Sequence, residues 1–174
     1  KEDYADAKEL LLRAVGEYPH NLGEGKLESG QENNLYYLLG LVQEKLGEAK
    51  DAFESLTRAC CGESDPVGMM YYNYQPPEMI YYQGLAYRML GEEEQAVQRF
   101  CKLVDYGKEH IGDEIKIDYF AVSLPDLLIF EENLNERNRK HCLFMMSLGL
   151  RGLGQTDEAK ACAEELLSMD NAHQ

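Results

Sequence analysis

The chain has 174 residues, close to one domain at roughly 150 residues per domain, and can bury a core without metals or disulfides. Its net charge is −15 with 44% hydrophobic residues, which excludes a disordered acidic tail and counts against docking on nucleic-acid phosphate or anionic lipid. No apolar run reaches the ~20 residues of a membrane span, and the opening KEDYADAKELLLRAV is acidic and amphipathic, unlike a signal peptide. It holds no initiator Met, so the chain reads as a piece of a longer protein.

The first predicted element is a helix over about Glu2 to Val15. Its Leu10, Leu11 and Ala14 are expected to pack on the following repeat, with another face left for a missing helix. Weak self-association through this truncated end is the expectation, because open solenoid ends need caps.

Residues 33–60 read NNLYYLLGLVQEKLGEAKDAFESLTRAC and residues 78–103 read EMIYYQGLAYRMLGEEEQAVQRFCKL. Superposing Gly47 on Gly91 brings Gly40 onto Gly84, Leu46 onto Leu90, Ala52 onto Ala96 and Leu56 onto Phe100. A third copy, residues 141–170, aligns Gly154 and Ala159, with Ser147 as the small residue. The opening segment supplies a partial copy through Ala7, Leu11, Ala14 and Pro19.

Each copy predicts a helix, a Gly that caps it in the left-handed conformation, and a second helix. Small residues (Gly40, Gly84, Ser147; Ala52, Ala96, Ala159) mark where the two helices cross. Such a hairpin has two apolar faces, so hairpins must stack. The predicted fold is an all-α superhelical solenoid of antiparallel helix hairpins, one domain over 1–174. It divides into a partial repeat 1–19, repeats 33–61, 77–107 and 139–170, and an insertion 108–138.

The pattern resembles the tetratricopeptide repeat, through Tyr36, Leu39, Gly40, Ala52, Leu56 and Ala59; Gly84, Tyr87, Ala96 and Phe100; and Leu143, Leu150, Ala159 and Leu166. A standard unit is about 34 residues, whereas the aligned alanines here lie 45, 44 and 63 apart. The excess falls at 20–33, 62–77 and 108–138, between hairpins. These insertions, with EYPHNLGEGKL, MMYYNYQPP and the closing DNAHQ, are similar to the C-terminal repeat region of large bacterial proteins. In those, a mutarotase-like region of unknown function precedes the repeats. That resemblance implies a carbohydrate-related neighbour and no established activity.

Chemistry-bearing motifs are sparse. GEGKLESG has Gly25 and Lys26, but His20 and Leu27 stand where a phosphate loop needs Gly and a hydroxyl, so it reads as a turn. The four histidines have no zinc-ligand spacing. The acids of the last insertion follow from composition. No catalytic residue, metal or cofactor is expected, and the chain is not read as an enzyme. Cys60, Cys61, Cys101, Cys142 and Cys162 form no CxxC and mostly sit in apolar helical contexts. They read as core filler in a reducing cytoplasm.

The binding candidates follow from the tetratricopeptide resemblance, which places the first helices along a concave groove. The positions are Asn34, Tyr37, Leu41 and Glu44; Glu78, Tyr81, Leu85 and Arg88; His141, Phe144, Leu148 and Arg151. Tyr37, Tyr81 and Phe144 share one position, and Arg88 and Arg151 another. Such a ladder suits a peptide or protein segment, or the N-terminal domain of the protein's own longer chain. The alternative is that the aromatics pack on the apolar insertion, where Tyr119, Phe120 and Phe130 are docking candidates near Phe144. The functional expectation is a protein-docking scaffold. The second reading is an accessory module of a carbohydrate-active protein, distinguished by where the Tyr-rich loop 71–74 points.

Overall fold

The computed structural model describes residues 3–16, 31–68, 76–115 and 133–171. Every regular element among them is a helix: α1 (Tyr4–Gly16), α2 (Asn33–Lys45), α3 (Ala49–Ala59), α4 (Pro77–Met89), α5 (Glu93–His110), α6 (Leu134–Gly152) and α7 (Thr156–Met169). Helices α2/α3, α4/α5 and α6/α7 form the three hairpins, α4 also packs on α2 and α3, α6 packs on α4, and α1 packs on α2.

The turn between paired helices is built the same way three times. Gly47, Gly91 and Gly154 have φ of 80, 82 and 78°, the left-handed region that only Gly enters without strain. The next N–H then reaches back to a carbonyl of the first helix: Glu48 to Gln43, Glu92 to Tyr87 and Gln155 to Leu150, each at 2.9 Å. This satisfies carbonyls that a helix end leaves unpaired.

The small residues sit at the crossings as the spacing predicts, in two hairpins of three. A Cβ on Gly40 would lie 2.7 Å from the Leu56 side chain, and one on Gly84 would lie 2.4 Å from the Phe100 ring. Ala52, Ala96 and Ala159 are buried. In α6 the tightest crossings are at Gly149 and Gly152, which meet Phe100, Leu103 and Val104 of the preceding hairpin. Close packing of this kind lets backbones approach and gives a uniquely fitted core.

The insertion between α5 and α6 is shorter than 108–138. Helix α5 runs on to His110 and α6 begins at Leu134. Gly107 allows this, since the bare Cα passes Met146 and the Cys142 carbonyl of α6 where a Cβ would clash. Asn138 then takes the His110 carbonyl at 2.7 Å. Asn133 caps α6 by accepting from the N–H groups of Asn135 and Glu136.

Helix α1 differs from the expectation in its facing. Leu11 and Ala14 are half-buried, but Leu10 is 61% exposed. In the repeat register Leu10 corresponds to Ser55, which donates to Gln43 of its own first helix. Leu10 therefore points where α1 has no partner helix among the described residues.

Candidate functional site

The first helices carry two kinds of side chain that the fold separates. Apolar residues reach the next hairpin, and buried polar residues hold the loops. Asn33 donates to the Ala59 and Cys61 carbonyls, both at 2.8 Å. Gln83 donates to the carbonyls of Cys61 at 3.0 Å and Glu63 at 2.8 Å. The segment after α3 is held again by Lys102, which contacts Asp65 at 2.6 Å and Ser64 at 3.2 Å. These pins were missed in the motif reading. Their signal is a polar residue in the apolar phase of a first helix, as at Asn33, Gln43, Gln83 and Asn138.

His141 belongs to this set and does not face a groove. It is buried, with Nε2 donating to the Val67 carbonyl at 2.9 Å. The early part of α6 lies against the segment that follows α3, so its side chains are used inward.

The aromatic position is occupied differently in each copy. The Tyr37 ring lies 5.5 Å from Tyr82 of the next first helix. Tyr81 lies 5.7 Å from Phe100 and joins Ile80, Leu103 and Met145. Burial raises the Tyr37 hydroxyl pKa, with Tyr81 and Tyr82 adding to the shift. Both tyrosines are half-buried packing residues, while Asn34, Leu41, Glu78 and Leu85 beside them are partly exposed. Arg88 stacks over the Phe100 ring at 5.0 Å and bonds Glu93.

Phe144 instead lines a groove of about 610 Å³ between α6 and α7, with Ser147, Leu148, Arg151, Ala159, Lys160, Ala163 and Leu167 around it. Ala163 stands where the register has Leu56 and Phe100 in the other hairpins. Ser147 facing Ala163 thus replaces glycine facing a bulky side chain, and among the described residues no bulky side chain of α7 fills that crossing. The other sequence candidates, Tyr119, Phe120, Phe130 and loop 71–74, lie outside the described residues.

The cysteines are unpaired. Burial is the main cause that pushes the Cys60 thiol up to about 12 and the Cys142 thiol up to about 11. They are therefore protonated thiols in packed surroundings rather than nucleophiles. Cys61 departs from the core reading and is exposed, with its Sγ 3.4 Å from the Thr57 carbonyl. Among the described residues no cluster of three His, Cys, Asp or Glu side chains could hold a metal ion. No helix there is long and apolar enough to cross a membrane.

In-phase hairpins and recurring glycine turns define a helical-repeat solenoid. Residues 78–106 and residues 141–173 each match a family model of the tetratricopeptide repeat. The first stretch lies within the second hairpin, and the second spans most of α6 and all of α7. Repeats of this kind generally mediate protein–protein interaction.

Proposed function

We propose that this chain is a non-catalytic docking scaffold, part of a longer protein, that binds a protein segment or a neighbouring domain of its own chain. The observation that carries this is the surface left along the first helices. Asn34, Leu41, Glu78 and Leu85 remain half-exposed on successive hairpins in one register. A repeated surface of that kind binds extended or helical partners by adding small contacts over several repeats. Unpaired cysteines support work in a reducing compartment such as the cytoplasm. The likeness to repeat regions of large bacterial proteins supports an N-terminal neighbour as the partner.

The test is hydrogen exchange on this region alone and within the longer protein. Amides of 34–41 and 78–85 should gain protection when the neighbour is present, and Leu41→Glu with Leu85→Glu should abolish the gain. Equal protection in both settings, with no effect of the double variant, contradicts docking on this face.

A further inference from the structure

We infer that the groove between α6 and α7 receives an amphipathic helix of a partner protein, which inserts one bulky apolar side chain between Ser147 and Ala163. Carboxylates flanking that side chain meet Arg151 and Lys160. This rests on the docking reading above and assigns it a second, separate site.

The molecule itself shows what such a groove takes. The corresponding groove of the first hairpin is filled by a helix, with Ala86, Met89 and Leu90 of α4 packed against Leu56 and Ala59. That of the second hairpin is filled by α6, where Gly149 and Gly152 lie on Phe100. In both, the hairpin presents a bulky residue, Leu56 or Phe100, and the incoming helix brings a small one, Ala86 or Gly152, into the contact. At the last hairpin the sizes are reversed, since Ser147 and Ala163 are the small partners. A helix with Ala or Gly at the contact leaves that space empty, and an unfilled apolar space forfeits packing energy. A helix with Leu or Phe there fills it.

Charge points to the same partner. Among the described residues, the ionisable side chains lining the groove are Arg151 and Lys160, both exposed, in a chain of net charge −15. Arg88, the counterpart of Arg151 in the preceding hairpin, bonds the Gly152 carbonyl at the end of the incoming helix at 2.8 Å. Arg151 is placed to do the same for a docked helix, and Lys160, whose exposed contact with Glu164 one turn on is 3.5 Å, can exchange it for a carboxylate beside the anchor. Leu167, 49% exposed, extends the apolar rim.

The probe is a fluorescein-labelled synthetic helix rich in Ala and Glu with one Phe anchor, titrated into the 174-residue chain and read by anisotropy. Control peptides carry Ala for the anchor or Lys for the flanking Glu. Saturable binding is expected for the Phe peptide, at least tenfold weaker for the Ala peptide. Ala163→Leu, which fills the slot from the protein side, should weaken binding at least tenfold while unfolding curves show the fold intact. Arg151→Glu with Lys160→Glu should weaken the Glu peptide and favour the Lys peptide. Absence of saturable binding, or binding indifferent to Ala163→Leu, overturns the inference. So does an Ala163→Leu effect seen only on exchange of residues 116–132 or on the mass of the chain, which would assign the groove to the chain's own segment or a second copy. None of these outcomes touches the exchange test on 34–41 and 78–85, so the two readings fail separately.

Discussion

Arg88 on α4 donates from Nη1 to the carbonyl of Gly152, the last residue of α6, at 2.8 Å. The same guanidinium lies 5.0 Å over the Phe100 ring of α5 and holds Glu93 at 2.6 and 2.9 Å. A helix-end carbonyl lacks an intrahelical partner, and a cation complements the dipole there. One side chain therefore ties three helices together. Arg88→Ala should lower stability by about 1–2 kcal/mol, with the exposed Glu93 contact contributing least. Arg88→Lys should recover only part, because an ammonium lacks the planar fork. Urea unfolding checks both, and an unchanged midpoint for Arg88→Ala contradicts the tie.

Two carboxyls are held below their ordinary range by a hydrogen bond from a cation, Glu93 by Arg88 and Asp65 by Lys102. A carboxyl whose folded pKa is depressed contributes stability above its unfolded pKa and loses it as pH falls through the folded value. The loss should therefore begin as pH falls through the ordinary carboxyl range, at about pH 4, and continue down to the depressed folded values. Glu93→Gln with Asp65→Asn should melt less pH-dependently than the parent between pH 6 and 3. Parallel Tm curves for the two proteins would rule out the linkage.

The glycines separate into two kinds. A Cβ on Gly152 would sit 2.2 Å from the Phe100 ring, whereas Gly47 has open space but a φ of 80°. Gly152→Ala should cost about 1–3 kcal/mol by overpacking, and Phe100→Leu in the same chain should return part of it. Gly47→Ala should cost about 1–2 kcal/mol through backbone strain alone, with no rescue from Phe100→Leu. Rescue of both, or of neither, by double-variant unfolding contradicts this division.

Much of this was legible in the sequence, and the reasons are local. Gly47, Gly91 and Gly154 fixed the register because a left-handed turn needs Gly wherever it occurs. Ala52 and Ala96 marked crossings because a small side chain is what a closely packed, buried position between two helices takes. The site was harder to read. Tyr37 and Phe144 occupy one register position, yet Tyr37 is packed against the next hairpin and Phe144 lines the groove between α6 and α7. A residue's partner on the next hairpin is a property of stacking, which periodicity within one hairpin does not carry. His141 was misplaced for the same reason, since its Val67 contact spans 74 positions. That groove did leave a trace in sequence, Ala163 where Leu56 and Phe100 stand in the other copies.

Thiol reactivity should follow packing. Cys61 is exposed, while burial raises Cys60 to about 12 and Cys142 to about 11. At pH 8, iodoacetamide should label Cys61 well before Cys60 or Cys142, because only the thiolate reacts. Mass spectrometry of timed samples reads the order, and early labelling of Cys142 would show that the α5–α6 crossing opens readily.

Successive grooves of one register are filled by the next helix in the first two hairpins and, among the described residues, by no helix in the last. Leucine substitution reads that difference directly. Ala96 is 0% exposed, so Ala96→Leu should overpack its hairpin and lose about 1–3 kcal/mol. Ala163→Leu adds apolar surface in the groove lined by Phe144 and Leu148, and should leave stability unchanged or raise it by up to about 1 kcal/mol. The measurement is the difference in urea-unfolding free energy between the two variants and the parent. Opposite or clearly unequal effects, with Ala96→Leu the damaging one, are the predicted result; equal losses from both substitutions would show that the last groove is already filled.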